Sequence, residues 1–169
     1  AELNALGFNV NHAPTVDVNV NPKNPVINVR SFGEDPGKVS DLGLAMLKSM
    51  QAQGVIGTLK HFPGHGDTSV DSHTGLPRVD HDIDTISRVD LAPFTTAIEA
   101  GAVSMLMTAH IQYPALDAST FTNSNGERMI KPATMSKAIL TDLLRGKMGY
   151  QGLVITDALD MAAISDFMS

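Results

Sequence analysis

The chain has 169 residues, a formal charge of −6 and no cysteine. That is about one domain's worth of chain, long enough to bury a sizeable core. It excludes disulfides, thiol nucleophiles and cysteine-based zinc sites, leaves no basic stripe for nucleic-acid phosphates, and contains no apolar run near the roughly 18 residues of a membrane span.

The opening AELNALG reads as the last turns of a helix and its glycine stop. With no initiator methionine, the chain is expected to be a piece of a longer protein. The lack of a visible targeting segment then leaves the compartment undetermined. Residues 8–18 form an apolar-rich run ending at Asp17 and Val18, expected as a buried strand with Pro14 near its end. Residues 19–36 are a loop rich in Asn and Pro, containing Arg30. Asp35 before Pro36 suits a helix cap followed by a first-turn proline. Val39, Leu42, Leu44–Leu47 and Met50 keep a helical period as far as the stop at Gly54. Residues 55–62 are the next strand.

Residues 77–90 read as a polar connection, and 91–100 as a short amphipathic helix stopped by Gly101. Residues 103–110 are a strand ending at His110. A long connection with little periodicity, 111–134, leads to a helix from Ser136 or Thr134 to about Lys147. Residues 152–159 give a fourth strand, ending at Thr156 and Asp157, and a last helix begins near Asp160. Strands alternating with amphipathic helices indicate a parallel α/β sheet. Polar residues sit at the C-terminal end of all four strands: Asp17, Lys60 with His61, His110 and Asp157. A (β/α)8 barrel builds its site from those ends, whereas an open doubly wound sheet needs one crevice. The expectation is a partial TIM-type barrel with about four of the eight βα units.

Residues 60–73, KHFPGHGDTSVDSH, carry three of the six histidines. Such a density of titratable groups in a glycine- and proline-punctuated loop points to chemistry. Lys60 and His61 offer a cation and a donor at a strand end, suited to gripping hydroxyl groups. Asp71 two residues before His73 can fix one imidazole tautomer and raise its basicity, making a proton shuttle; the pair also suits a turn. Asp157 at the mouth of a buried strand is a nucleophile, base or metal ligand, or else an N-cap for the following helix. Arg30 could be a plain surface charge. His12 and His110 read as hydrogen-bonded strand histidines. Glu34, Asp35, Asp80, Asp82 and Asp84 read as solvated acids or caps.

These motifs carry a resemblance. KHFPGHGDT followed by DSH, with APTVDV at 13–18, RSFGEDP at 30–36, MTAH at 107–110 and ITDALDM at 155–161, resembles the β-N-acetylglucosaminidase branch of glycoside hydrolase family 3, in order and over essentially the whole chain. The resemblance implies that Asp157 is the nucleophile of a retaining double displacement and that His73, with Asp71 as its dyad partner, is the acid/base. It implies sugar-binding positions at Lys60, His61 and Arg30, with Asp17 a strand-end carboxylate near the pocket. The implied substrate is a saccharide with a terminal N-acetylglucosamine, and no metal or cofactor is implied. A neutral histidine donor also leaves room for phosphate as acceptor, so a phosphorylase is a variant of this reading. Residues 1–169 are then expected to be part of the catalytic barrel domain. The family's earlier strand with an Asp-x-Glu-Gly-Gly-like run has no counterpart, nor do its final strands. The isolated piece is therefore expected to be weakly active or inactive and to self-associate through exposed edges. Two other readings stand beside this one: a metal-dependent hydrolase using His61, His65, Asp67 and His73, and a fragment that only binds or assembles.

Overall fold

A computed structural model describes residues 1–69, 76–162 and 164–165. The chain opens with a single helical turn, α1 (Glu2–Ala5), and a short strand, β1 (Val10–Asn11). Helix α2 (Pro36–Ala52) follows. The Asp35 carboxylate caps it by accepting from the Lys38 amide, and Gly54 ends it with φ of +76°, a conformation that costs glycine least. Strand β2 (Ile56–Phe62) leads to α3 (Ile83–Thr85), which continues as a π-type turn over Ile86–Asp90 and then as α4 (Ala92–Glu99). Next come β3 (Met105–Thr108), a hairpin of β4 (Thr120–Thr122) and β5 (Arg128–Ile130), a π-type helix Ala138–Lys147, and β6 (Leu153–Thr156).

β1, β2, β3 and β6 form one parallel sheet in which spatial order follows chain order. This is the α/β architecture expected from the alternating pattern, and a barrel segment has this connectivity. All four strands point the same way, so their C-terminal ends share one rim. Below that rim Leu59, Phe62, Phe94, Leu106, Ile139 and Leu144 are fully buried, and the Phe62 and Phe94 rings meet edge to face at 5.3 Å. Each such side chain contributes about 2 kcal/mol by leaving water, which makes the sheet a stiff floor for the rim.

Three elements differ from the sequence expectation. The run 8–18 is regular only at Val10–Asn11. Pro14 cannot donate to a ladder, yet the chain stays extended beside β2, with Lys60 N donating to Pro14 O and Val16 N to Lys60 O. Asp17 therefore still arrives at the rim. The connection at 77–90 contains helical turns, started by Asp82 accepting from Thr85 N. The connection at 111–134 contains the hairpin, whose turn is organised by the Asn123 side-chain carbonyl accepting from the Asn125 and Glu127 amides. The helix expected from Asp160 is described at 160–162 and 164–165, with Ile164 N and Ser165 N donating to Met161 O; the rest lies outside the described residues. Apolar side chains at Phe8, Ile56 and Leu153 remain exposed.

Candidate active site

Five of the seven residues singled out from the sequence converge on the rim. Asp17, from the extended run that follows β1, is 0% exposed. One carboxylate oxygen, Oδ1, accepts from His61 N at 3.2 Å and from His65 N at 2.7 Å; Oδ2 lies 2.7 Å from His61 Nδ1. Burial works to raise the Asp17 pKa, but the adjacent His61, through charge and hydrogen bonds, and the His65 charge hold it below the usual carboxylate value. An ionised carboxylate only accepts, so His61 Nδ1 carries the proton. That leaves His61 Nε2 facing two groups: Arg30 Nη2 at 3.5 Å and Asp157 Oδ2 at 3.9 Å.

Arg30 is exposed and sits on a 3-10 turn, Asn28–Arg30. That turn is not loose. Buried Asn24 accepts from the Val26 and Ile27 amides and donates to His65 O at 2.7 Å, and Ser31 Oγ donates to Asp17 O at 2.6 Å. Lys60 is half-buried at the end of β2. Its burial and the nearby Arg30 hold its pKa below the ordinary lysine value, against the pull of Asp157 and Asp17. The Lys60–His61 peptide bond is cis.

Asp157 follows β6, its amide donating to Thr108 O at 3.1 Å as the last rung of the ladder. Its side chain is 26% exposed. Oδ1 accepts from the next amide, Ala158 N, at 2.9 Å. A helix N-cap would instead accept from an amide two or three residues on, and among the described residues Asp157 does not. The side chain therefore faces the His61 cluster without serving as a cap.

The loop after His61 is tied down at several points. Tyr113, fully buried, donates to Gly64 O at 2.7 Å. Gly66 touches the backbone of Val18 so closely that a Cβ would lie 1.8 Å from Val18 O, which only glycine permits. His65 Nδ1 lies 2.5 Å from Thr68 Oγ1. His81 bridges two acids: Nδ1 to Asp90 Oδ2 at 2.7 Å and Nε2 to Asp67 Oδ2 at 3.1 Å. Burial pushes Asp90 up to about 6, against the opposing His81. The His81 pKa is raised: burial opposes the charge, but the Asp90 and Asp67 carboxylates outweigh it. Asp71 and His73, the expected proton-transfer pair, lie outside the described residues.

This rim can hold a polar ligand between cations and a carboxylate, with one imidazole set in a fixed tautomer. Among the described residues no three His, Asp or Glu side chains are placed to share a metal ion. Of the side chains suggested for one, His61 is bonded to Asp17 through Nδ1, His65 to Thr68 and Asp67 to His81, and His73 lies outside the described residues.

Residues 1–169 match the N-terminal domain of glycosyl hydrolase family 3. The chain belongs to glycosyl hydrolase family 3. It is 67% identical over 168 residues to "Beta-hexosaminidase A" of Pseudoalteromonas piscicida, covering 99% of this chain and 28% of that protein. Its fold matches a family 3 β-N-acetylglucosaminidase from Paenibacillus with a TM-score of 0.90 and 47% identity, over 98% of this chain and 29% of that one. A structure described as a β-glucoside phosphorylase matches with a TM-score of 0.88 and 31% identity, over 98% of this chain and 29% of that one. The chain thus spans less than a third of the length of these three proteins.

Within this family 3 chain, sequence reasoning missed Asn24, His81, Asp90 and Tyr113. Asn24 looked like one more loop asparagine. His81 and Asp90 are nine residues apart on either side of a helical turn taken for a polar connection, so no spacing rule linked them. Asp17 was expected near the pocket among the substrate-binding positions. The geometry places it behind His61, with both oxygens already engaged by the protein.

Proposed function

We propose that residues 1–169 are part of the catalytic barrel domain of a retaining, exo-acting β-N-acetylglucosaminidase. Asp157 acts as nucleophile on the anomeric carbon of a terminal N-acetylglucosamine. Asp157 Oδ2 is the oxygen turned towards the His61 cluster, since Oδ1 is held by Ala158 N. Lys60, Arg30 and His61 would grip sugar hydroxyls. Asp17 acts through His61, holding the proton on Nδ1 so that Nε2 faces the pocket. His73, paired with Asp71, would protonate the leaving oxygen and then deprotonate the incoming water.

The observation that carries this reading is the 3.9 Å approach of Asp157 to His61 at the ends of separate strands. It puts one carboxylate, partly open to solvent, beside His61, which Arg30 also approaches. The named relatives support a hexosaminidase. The test is turnover of an aryl N-acetylglucosaminide by the full-length protein and by Asp157→Ala. The variant should lose both glycosylation and deglycosylation; retention of most activity would refute the nucleophile assignment. Product analysis with and without phosphate separates the phosphorylase variant, which would release N-acetylglucosamine 1-phosphate.

A further inference from the structure

We propose that His110, backed by Thr134, is a positioning residue for Asp157: it fixes the carboxylate's direction by holding the backbone that follows it. This rests on the assignment of Asp157 as nucleophile. His110 ends the extended run after β3 and is 1% exposed. Its Nε2 lies 3.0 Å from Ala158 O, and its Nδ1 lies 2.9 Å from Thr134 Oγ1. A carbonyl has no proton to give, so Nε2–H donates and the tautomer is set. With Nδ1 unprotonated, the one Thr134 hydroxyl proton goes to it; Thr134 Oγ1 also lies 2.9 Å from Ala109 O and 3.1 Å from Thr108 Oγ1, whose hydroxyl can donate to it, at the end of β3.

The consequence lies at residue 158. The β3–β6 ladder runs to Thr108↔Thr156 and closes with Asp157 N on Thr108 O. Beyond that rung the chain leaves the sheet, and a residue there would swing by rotation about its own backbone bonds. Ala158 is tethered on both sides: its N–H by Asp157 Oδ1 and its C=O by His110 Nε2. With both groups fixed, the plane of the Asp157 carboxylate is held in one direction. Oδ1 stays with Ala158 N–H, and Oδ2 stays towards His61. A nucleophile must meet its carbon within a few tenths of an ångström and a narrow angle, and a displacement of about 1 Å costs on the order of 10²-fold in rate.

The test is His110→Phe in the full-length protein. It keeps a ring in the buried space but removes the donor to Ala158 O. We expect kcat/KM to fall by on the order of 10²-fold, and by the same factor for nitrophenyl and for alkyl glycosides. Losing a proton donor would instead spare the good leaving groups. The inhibition constant for N-acetylglucosamine should stay within about threefold, because ground-state contacts are untouched. His110→Gln, which restores an N–H donor, should recover about tenfold or more. Should the phenylalanine variant fail to fold, Thr134→Val removes the Nδ1 contact and leaves the ring in place. Its loss should be several-fold and equally independent of the leaving group.

A folded His110→Phe with kcat/KM within about twofold of the wild type would overturn the proposal. So would a loss confined to poor leaving groups, or one that appears wholly in ligand affinity. If His110→Phe does not fold, wild-type rates in Thr134→Val would overturn it. Asp157→Ala separates the two levels. An active Asp157→Ala sinks the nucleophile assignment itself; an inactive one alongside fully active His110 and Thr134 variants sinks only the positioning role.

Discussion

Replacing Asp17 by Asn should reverse the tautomer of His61. Asp17 Oδ1 accepts from two backbone amides, His61 N and His65 N, so an Asn at this position must keep its oxygen there. Its NH2 then faces His61 Nδ1, 2.7 Å away in the wild type. Two donors cannot share that distance, so the imidazole proton moves to Nε2. There it meets the Arg30 guanidinium at 3.5 Å and Asp157 Oδ2 at 3.9 Å. The new N–H is repelled by one and drawn to the other, tying up the proposed nucleophile. Charge-assisted hydrogen bonds are roughly twice as strong as neutral ones, so three bonds weaken by about 1 kcal/mol each. Relief from burying a carboxylate offsets part of that, leaving a net loss of about 2 kcal/mol. Activity should fall further, by about 10² to 10³ in kcat/KM, because the perturbation reaches Asp157 Oδ2, the oxygen proposed to attack. Long-range ¹⁵N-edited NMR of histidine-labelled protein reads the tautomer directly. An Asp17→Asn protein that keeps its His61 proton on Nδ1 and turns over within about threefold of wild type would refute the reasoning.

Asp90 makes a different prediction, set by pH. Its folded pKa is raised from 3.8 to about 6, so its stabilising contribution is complete below the unfolded value and is lost as the pH rises through about 6. At neutral pH the ionised carboxylate costs on the order of 3 kcal/mol, so Asp90→Asn should flatten the decline in urea stability across that window; parallel wild-type and variant curves would contradict this. The Asp17 shift has the opposite sign. It adds stability above the ordinary value of 3.8 that is lost as the pH falls through the lower folded value, and Asp17→Asn should remove that acid limb. Gly66→Ala would force a Cβ to 1.8 Å from Val18 O and 2.4 Å from Val18 C, both backbone atoms. The loop must lift, breaking the His65 N–Asp17 bond. We expect a loss of 3 kcal/mol or more, roughly, in thermal or urea melts, with activity lost alongside; an alanine variant as stable as the wild type would show that the contact is not made.

Much of the site was legible because the sequence carries strand ends as polar punctuation on apolar runs. Asp17, Lys60, His61 and Asp157 could each be placed on a rim from local pattern alone, and the parallel sheet does bring them together. What local pattern could not give was the order of contact. That Asp17 stands behind His61 depends on the extended path through Pro14, and on two amides, one from the end of β2 and one from the loop after it, reaching one oxygen. The His81 bridge was invisible for a related reason: its partners, Asp67 and Asp90, come from opposite sides of the chain. His110 was read as a hydrogen-bonded strand histidine. That is accurate for its burial, but its partner is the backbone beside Asp157, 48 residues on. The helical turns at 83–90 were hidden by the acidic stretch at 80–84, which reads as loop until Asp82 is seen capping Thr85.

Attack on the anomeric carbon is the role proposed for Asp157. It is tested most directly by trapping the glycosyl-enzyme with a fluorinated N-acetylglucosaminyl donor, followed by peptide mapping by mass spectrometry. One sugar should be attached to the peptide containing Asp157, and none in Asp157→Asn. An adduct on another side chain, or turnover that inverts the anomeric configuration without an adduct, would contradict it.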